Sequence, residues 1–159
     1  QAKSKADALL EDVKRLAKES PLSFEGLSEA TFKMIGMGFE TQKIIPILEA
    51  LGNMSSVIGS EKLPFVAKAM SDVQNKGRLM AQETKQFTDN GVNLYALLAK
   101  SMGKTKDEVV LLAEKHKISY ADVEKAILQA SEKGGIYHNQ MNRRIYIRSV
   151  QCYLVRIFE

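Results

Sequence analysis

Glycines, histidines and carboxylates are the residues of this chain whose types and spacing could do chemistry. Gly36-Met37-Gly38, with Gly26 upstream, has the outline of a loop whose backbone amides could cradle a phosphate. Such a loop needs a longer glycine pattern, usually a lysine followed by serine or threonine, and a strand leading into it. None of these accompanies SPLSFEGLSEATFKMIGMGF at residues 20–39, so the stretch reads as a helix stop with a tight turn. His116 and His138 are the only histidines. A zinc site would need further Cys or His ligands in register with them, so both read as surface or boundary residues. The single cysteine, Cys152, can form neither an internal disulfide nor a cysteine-rich metal site.

Without a placed histidine base, a serine or cysteine nucleophile lacks its usual activator, which leaves lysine or carboxylate bases as the open route to catalysis. The carboxylates sit singly on polar faces, as in LEDVKRL and DEVVLLAEK, where pairing along a helix and solvation account for them. No catalytic residue, cofactor-binding residue or metal ligand is therefore assigned, and the chain is expected not to be an enzyme and to need no cofactor.

Residues 104–130, KTKDEVVLLAEKHKISYADVEKAILQA, have the outline of a helix-turn-helix. A DNA-reading second helix should bring Arg, Asn or Gln to base edges near its start. This one brings Tyr120, Ala121, Asp122 and Glu124, and two carboxylates would be repelled by phosphates. A plain helical hairpin is the expectation, with a helical nucleic-acid-binding module as the alternative. The net charge of +4 does not favour that alternative. Arg143, Arg144, Arg148 and Arg156 against Glu159 place +3 in residues 143–159 and leave +1 for residues 1–142. No cluster of Lys and Arg marks the main body as a phosphate grip.

The elements that must position these residues are helices. Residues 3–19 place Ala6, Leu9, Leu10, Val13, Leu16 and Ala17 on one stripe, and Pro21 ends that helix near Ser20. Leu27 to Ile35 reads as a second helix, with Ser28 as its N-cap and Glu29 near the positive end of its dipole. From Thr41, TQKIIPILEALGNMSSVIG sets Ile44, Ile45, Leu48, Leu51 and Met54 on one face, with Pro46 in or near the first turn. KLPFVAKAMSDVQNKG repeats the plan with Pro64 at its start, and four further one-helix stretches follow to Gly134. Thr105 with Glu108, and Ser119 with Asp122, have the spacing of reciprocal caps. Gly36, Gly38, Gly77, Gly91, Gly103 and Gly134 fall at helix ends. Phe32, Phe65, Phe87 and Tyr95 read as core anchors, and Met34, Met37, Met54, Met70 and Met80 as adaptable core filling. No strand is expected before residue 143. The fold class is all-α, a compact bundle of about seven or eight short helices.

Taken in order, these segments resemble the tape-measure protein of long-tailed bacteriophages, in the small globular helical region such proteins carry. The resemblance rests on Pro21, Phe24 and Gly36 to Phe39 for a GxGF-like turn. It continues with Ile45, Pro46, Leu48, Ala50, Leu51 and Gly52 for an IPxLxALG helix, and with Lys76, Gly77 and Leu79. Leu97 to Lys100, Met102 and Gly103 match LLAKxMG, Ile118 and Ser119 match an IS turn, and EKGGIYHNQM closes the set. It spans roughly residues 20–142 and departs from the pattern at GVNLYALL, where proline is common.

The resemblance implies structural work in a phage or prophage tail: assembly and the setting of tail length. The partners it implies are tail tube and tail assembly chaperone proteins and other tape-measure copies, in the virion tail and, during assembly, the host bacterial cytoplasm. No small-molecule or nucleic-acid partner is expected, and membrane contact only for a full-length protein. The domain reading is residues 1–19 as an amphipathic helix continuing from a longer chain, 20–142 as the globular helical domain, and 143–159 as an atypical basic and apolar tail. That tail holds four of the six arginines and alternates at strand period around Ile145, Ile147, Tyr153, Val155 and Ile157, so it is expected to be strand-like or disordered, as a foreign or truncated ending would be.

Overall fold

Among the described residues most helices stop where the sequence places a glycine at or just past the end. The computed structural model describes residues 2–146, with side chains from residue 4 onward. Eight α-helices run α1 Ala2–Lys18, α2 Phe24–Gly36, α3 Thr41–Ile58, α4 Leu63–Lys76, α5 Ala81–Asp89, α6 Leu94–Met102, α7 Lys106–Glu114 and α8 Tyr120–Ser131, with a 3-10 turn Ser60–Lys62 between α3 and α4. The described residues hold no strand, only an isolated antiparallel bridge between Arg78 and Ser119. Residues 140–146 are also helical. The strand-period reading therefore fails for residues 143–146, where the backbone continues a helix; Ile147, Cys152, Tyr153, Val155 and Ile157 lie outside the described residues.

The apolar stripes meet in one core. α2 packs on α4, α8 on α6 and α3, α5 on α4, and α7 on α6. α1 lays Leu9, Val13 and Leu16 onto this assembly, packing on α2 and α3. Leu27, Met34, Leu48, Met54, Met70 and Phe87 are fully buried at the centre. Full burial of such a side chain stabilises by about 1.5–3 kcal/mol relative to exposure, which is why stripes of this kind outweigh the modest propensities of nine-residue helices.

Several local expectations shift. α2 begins at Phe24, not Leu27, because Ser23 caps it: its hydroxyl accepts from Gly26 N at 3.0 Å. Ser28 lies inside that helix with a buried hydroxyl that has no partner among the described residues. Glu29 is likewise past the first turn and pairs with Lys33 at 2.7 Å, while Glu25 holds the dipole position. Pro46 sits in the second turn of α3, where its missing N–H deprives the carbonyl of the exposed Gln42, four residues earlier, of a helix donor. Phe32 and Phe65 are not core anchors; they are 72% and 56% exposed. Each is rotated off the buried face of its helix, Phe65 by one residue from buried Val66. Phe87 is buried, Tyr95 is partly buried against the core, and Met37 is 39% exposed.

Candidate functional site

The end of α2 shows what the glycine turn does. Met37 N donates to Lys33 O, Gly38 N to Ile35 O and Phe39 N to Met34 O, each at 3.0 Å. This is the Schellman arrangement, with Gly38 in the left-handed position at φ 82 and buried Phe39 and Met34 as its apolar contact. The amides that a phosphate would need are spent on helix carbonyls. Gly36 is the last residue of α2, outside the left-handed region, and an added Cβ there would meet nothing within 4 Å. Gly77, Gly91, Gly103 and Gly134 stand at φ 71, 87, 62 and 89, at or shortly past the ends of α4, α5, α6 and α8.

Two further turn positions, one left-handed and one sterically closed, escape a search for single glycines. His116 takes the left-handed position after α7 at φ 53, where His116 N donates to Ala113 O and Lys117 N to Leu112 O, both at 2.9 Å. The absence of any glycine between α7 and α8 is the signal that a bulkier residue must make that turn. Gly135 is the second. A Cβ there would lie 2.2 Å from Ala130 O, the same carbonyl that accepts from Tyr137 N at 2.8 Å. His138 is exposed, its Nδ1 lying 3.2 Å from Ser131 O.

The hairpin over residues 104–130 is fixed by its caps. Thr105 Oγ1 accepts from Glu108 N at 3.3 Å and Thr105 N donates to Glu108 Oε2 at 2.7 Å. The Thr105 amide and hydroxyl hold the Glu108 carboxyl below the usual carboxylate range. Ser119 Oγ accepts from Asp122 N at 3.2 Å, and Ser119 N donates to Asp122 Oδ2 at 2.9 Å. The start of α8 is also clasped to the α4–α5 connection: Leu79 N donates to Ile118 O at 2.9 Å and Tyr120 N to Gly77 O at 3.1 Å. Tyr120 meets Phe39 edge to face at 6.0 Å, and Glu124 lies 3.9 Å from Lys43. Asp122 is thus spent on its cap, Tyr120 and Glu124 are turned inward, and Ala121 has no polar group, so the first turn of α8 offers no donor to a base edge.

Several clefts mark the surface of the described residues, and three of them lie between helices. One of about 520 Å³ lies between α1 and the start of α3, lined by Lys5, Asp12, Glu40 and Gln42 among others. One of about 260 Å³ lies beside the end of α8, where Lys100 Nζ donates to Gly134 O at 3.3 Å. The third, about 240 Å³ between α1 and α2, is the most apolar, with Leu10, Val13, Phe32 and Ile35 in its walls and Asp7, Ser28 and Thr31 as its polar members. Leu10, Phe32 and Ile35 are 44%, 72% and 48% exposed. Such a surface suits contact with another apolar face better than acid–base work, which needs converging titratable groups. Among the described residues no three His, Cys, Asp or Glu side chains gather to hold a metal ion, and no described helix is long and apolar enough to cross a membrane.

A protein-family model described as "Tape measure protein" matches residues 1–145. No curated protein and no solved structure matches the chain.

Proposed function

The chain belongs to the tape measure protein family, a structural family of phage tails, and from that premise we propose that it serves as a folded station on a tape, aiding tail assembly and the setting of tail length without catalysis. The observation that carries this reading is the family match over residues 1–145. Helix geometry supports a station over a ruler segment. Stretched into one helix at about 1.5 Å per residue, residues 1–145 would span roughly 220 Å. Folded, their longest helix has 18 residues, or about 27 Å. The tail tube, the tail assembly chaperones and other tape-measure copies are its partners, in the virion tail and, during assembly, in the host bacterial cytoplasm.

In-frame deletion of this domain from a phage whose tape-measure protein carries it tests the reading, with tails measured by electron microscopy. The expected result is a fall in the yield of complete tails, with a length change far smaller than the roughly 220 Å helical span. Tails shortened by that full span at normal yield would make the domain a ruler segment. Tails unchanged in both yield and length would remove it from assembly.

A further inference from the structure

We propose that Asn90–Gly91 is a deamidation site that the folded turn after α5 holds shut, so that opening this turn leaves a covalent mark which weakens its closure. The inference stands apart from the tail reading and does not rest on it.

Among the asparagines of this chain only Asn90 precedes glycine. The pairing matters because the backbone nitrogen that follows an asparagine can attack its side-chain carboxamide, and glycine, without a Cβ, leaves that nitrogen unhindered. In the reaction Gly91 N gives its proton to a base in the solvent and bonds to Asn90 Cγ, closing a five-membered succinimide. The Cγ–Nδ2 bond breaks and Nδ2 leaves as ammonia. One water then opens the ring. Cleavage of the bond from Gly91 N to Cγ gives aspartate, and cleavage of its bond to the main-chain carbonyl carbon gives isoaspartate.

The fold opposes ring closure at each point. Gly91 N, which must lose its proton, is engaged as a donor to Thr88 O at 2.9 Å. The Asn90 carboxamide, which must swing over that nitrogen, donates through Nδ2 to Gln86 O at 2.8 Å. Asn90 ψ is 9, which nearly eclipses Gly91 N with Asn90 N. Cβ, a different substituent on the same tetrahedral carbon, then stands well away from Gly91 N about the Cα–C bond, whereas the ring needs those two near eclipse. Val92 N donates to Phe87 O at 2.9 Å, and Phe87 and Val92 are both buried, so core anchors hold the turn from either side. Rotation at Asn90 therefore waits on a local opening of the kind helix ends undergo.

The products do not fit the turn they came from. An aspartate at this position would set a carboxylate against Gln86 O, beside Asp89 and at the negative end of α5, where an anion is disfavoured. Isoaspartate puts an extra main-chain atom between Phe87 and Val92, which takes Gly91 N and Val92 N out of register with their acceptors Thr88 O and Phe87 O.

The test holds the whole chain at mildly alkaline pH in native buffer, in sub-denaturing guanidinium chloride and fully unfolded, following ammonia release and peptide masses. When unfolded, Asn90 should react fastest of the asparagines, giving aspartate and isoaspartate peptides that chromatography separates. In native buffer it should react about tenfold more slowly, or slower still, and denaturant below the unfolding transition should speed it. Asn90→Gln, whose longer side chain would have to close a less favourable six-membered ring, should abolish the reaction in every condition. The deamidated chain, refolded, should show a lower denaturation midpoint than untreated chain carried through the same steps. Equal rates at Asn90 in native and unfolded chain, no reaction at Asn90 in unfolded chain, or a deamidated chain with an unchanged midpoint overturns the proposal.

Discussion

The Lys76 ammonium meets Oε1 of Glu83 at 2.5 Å across the α4–α5 connection, although the lysine side chain is 40% exposed and the glutamate side chain 1%. The other oxygen of that carboxylate is buried with no partner among the described residues. A carboxylate drawn out of water is costly unless it is paired, so removing the lysine costs more than the pair's own attraction suggests. Lys76→Met should destabilise by about 2 kcal/mol, below the 3–5 of fully buried pairs because water reaches the lysine. Adding Glu83→Leu should recover part of that loss. Urea denaturation of both single variants and the double checks it: additive effects would show that the two groups do not act as a unit.

Gly36 and Gly135 should respond oppositely to alanine. Gly36 lies in the last turn of α2 with open space where a Cβ would stand, so Gly36→Ala should stabilise by about 0.5–1 kcal/mol through the unfolded chain and helix propensity. At Gly135 the added carbon would be 2.2 Å from Ala130 O, a backbone atom that cannot rotate away. Gly135→Ala should destabilise by about 1–3 kcal/mol, within the usual range for local strain. Thermal melts of the two variants, read side by side, separate a glycine that merely marks a helix end from one that the packing requires.

That contrast shows what is legible in a single chain. A serine or threonine three residues ahead of a carboxylate makes its hydrogen bonds within one turn, so the geometry around Ser119 and Asp122 is encoded by residues adjacent in sequence. The apolar stripes of α1 and α3 are legible for the same reason, because their period is local, although Leu10 of the α1 stripe is left 44% exposed. Phe32 and Phe65 are a different case: side-chain type says they are apolar, but only the placement of α1 beside α2, and of α2 on α4, decides which face is covered. Gly135 depends on a carbonyl five residues back that its own turn brings close, and no composition rule marks it. The α1–α2 cleft is illegible on the same ground, since it exists only once two amphipathic helices leave their flanks uncovered.

His116 bears on the same distinction between residue type and backbone role. It is exposed, it joins no metal-holding group among the described residues, and its φ of 53 is the conformation glycine fills most easily. A side chain there costs about 1–2 kcal/mol, partly offset by the greater unfolded freedom of glycine. His116→Gly should therefore raise stability by about 0.5–1 kcal/mol in urea titrations. A loss of stability would mean that the imidazole makes a contact worth more than the strain.

Alkaline pH should unfold the chain through its buried phenols. Burial, and then the neighbouring Glu124 carboxylate, pushes Tyr120 well above the ordinary phenol range, and burial also raises Tyr137. The unfolded chain releases these protons near a pH of about 10, while the native chain still holds them. The native state then binds more protons, so stability is full below about pH 10 and falls as pH rises through the folded values. Tyr120→Phe should flatten that fall. Near neutrality it should cost little, because the buried Tyr120 hydroxyl has only the nearby Glu124 carboxylate to interact with and makes no hydrogen bond of ordinary geometry among the described residues. Urea midpoints for both proteins between about pH 8 and about pH 11 check the sign: parallel curves would mean that Tyr120 ionises as freely in the folded chain as in the unfolded one.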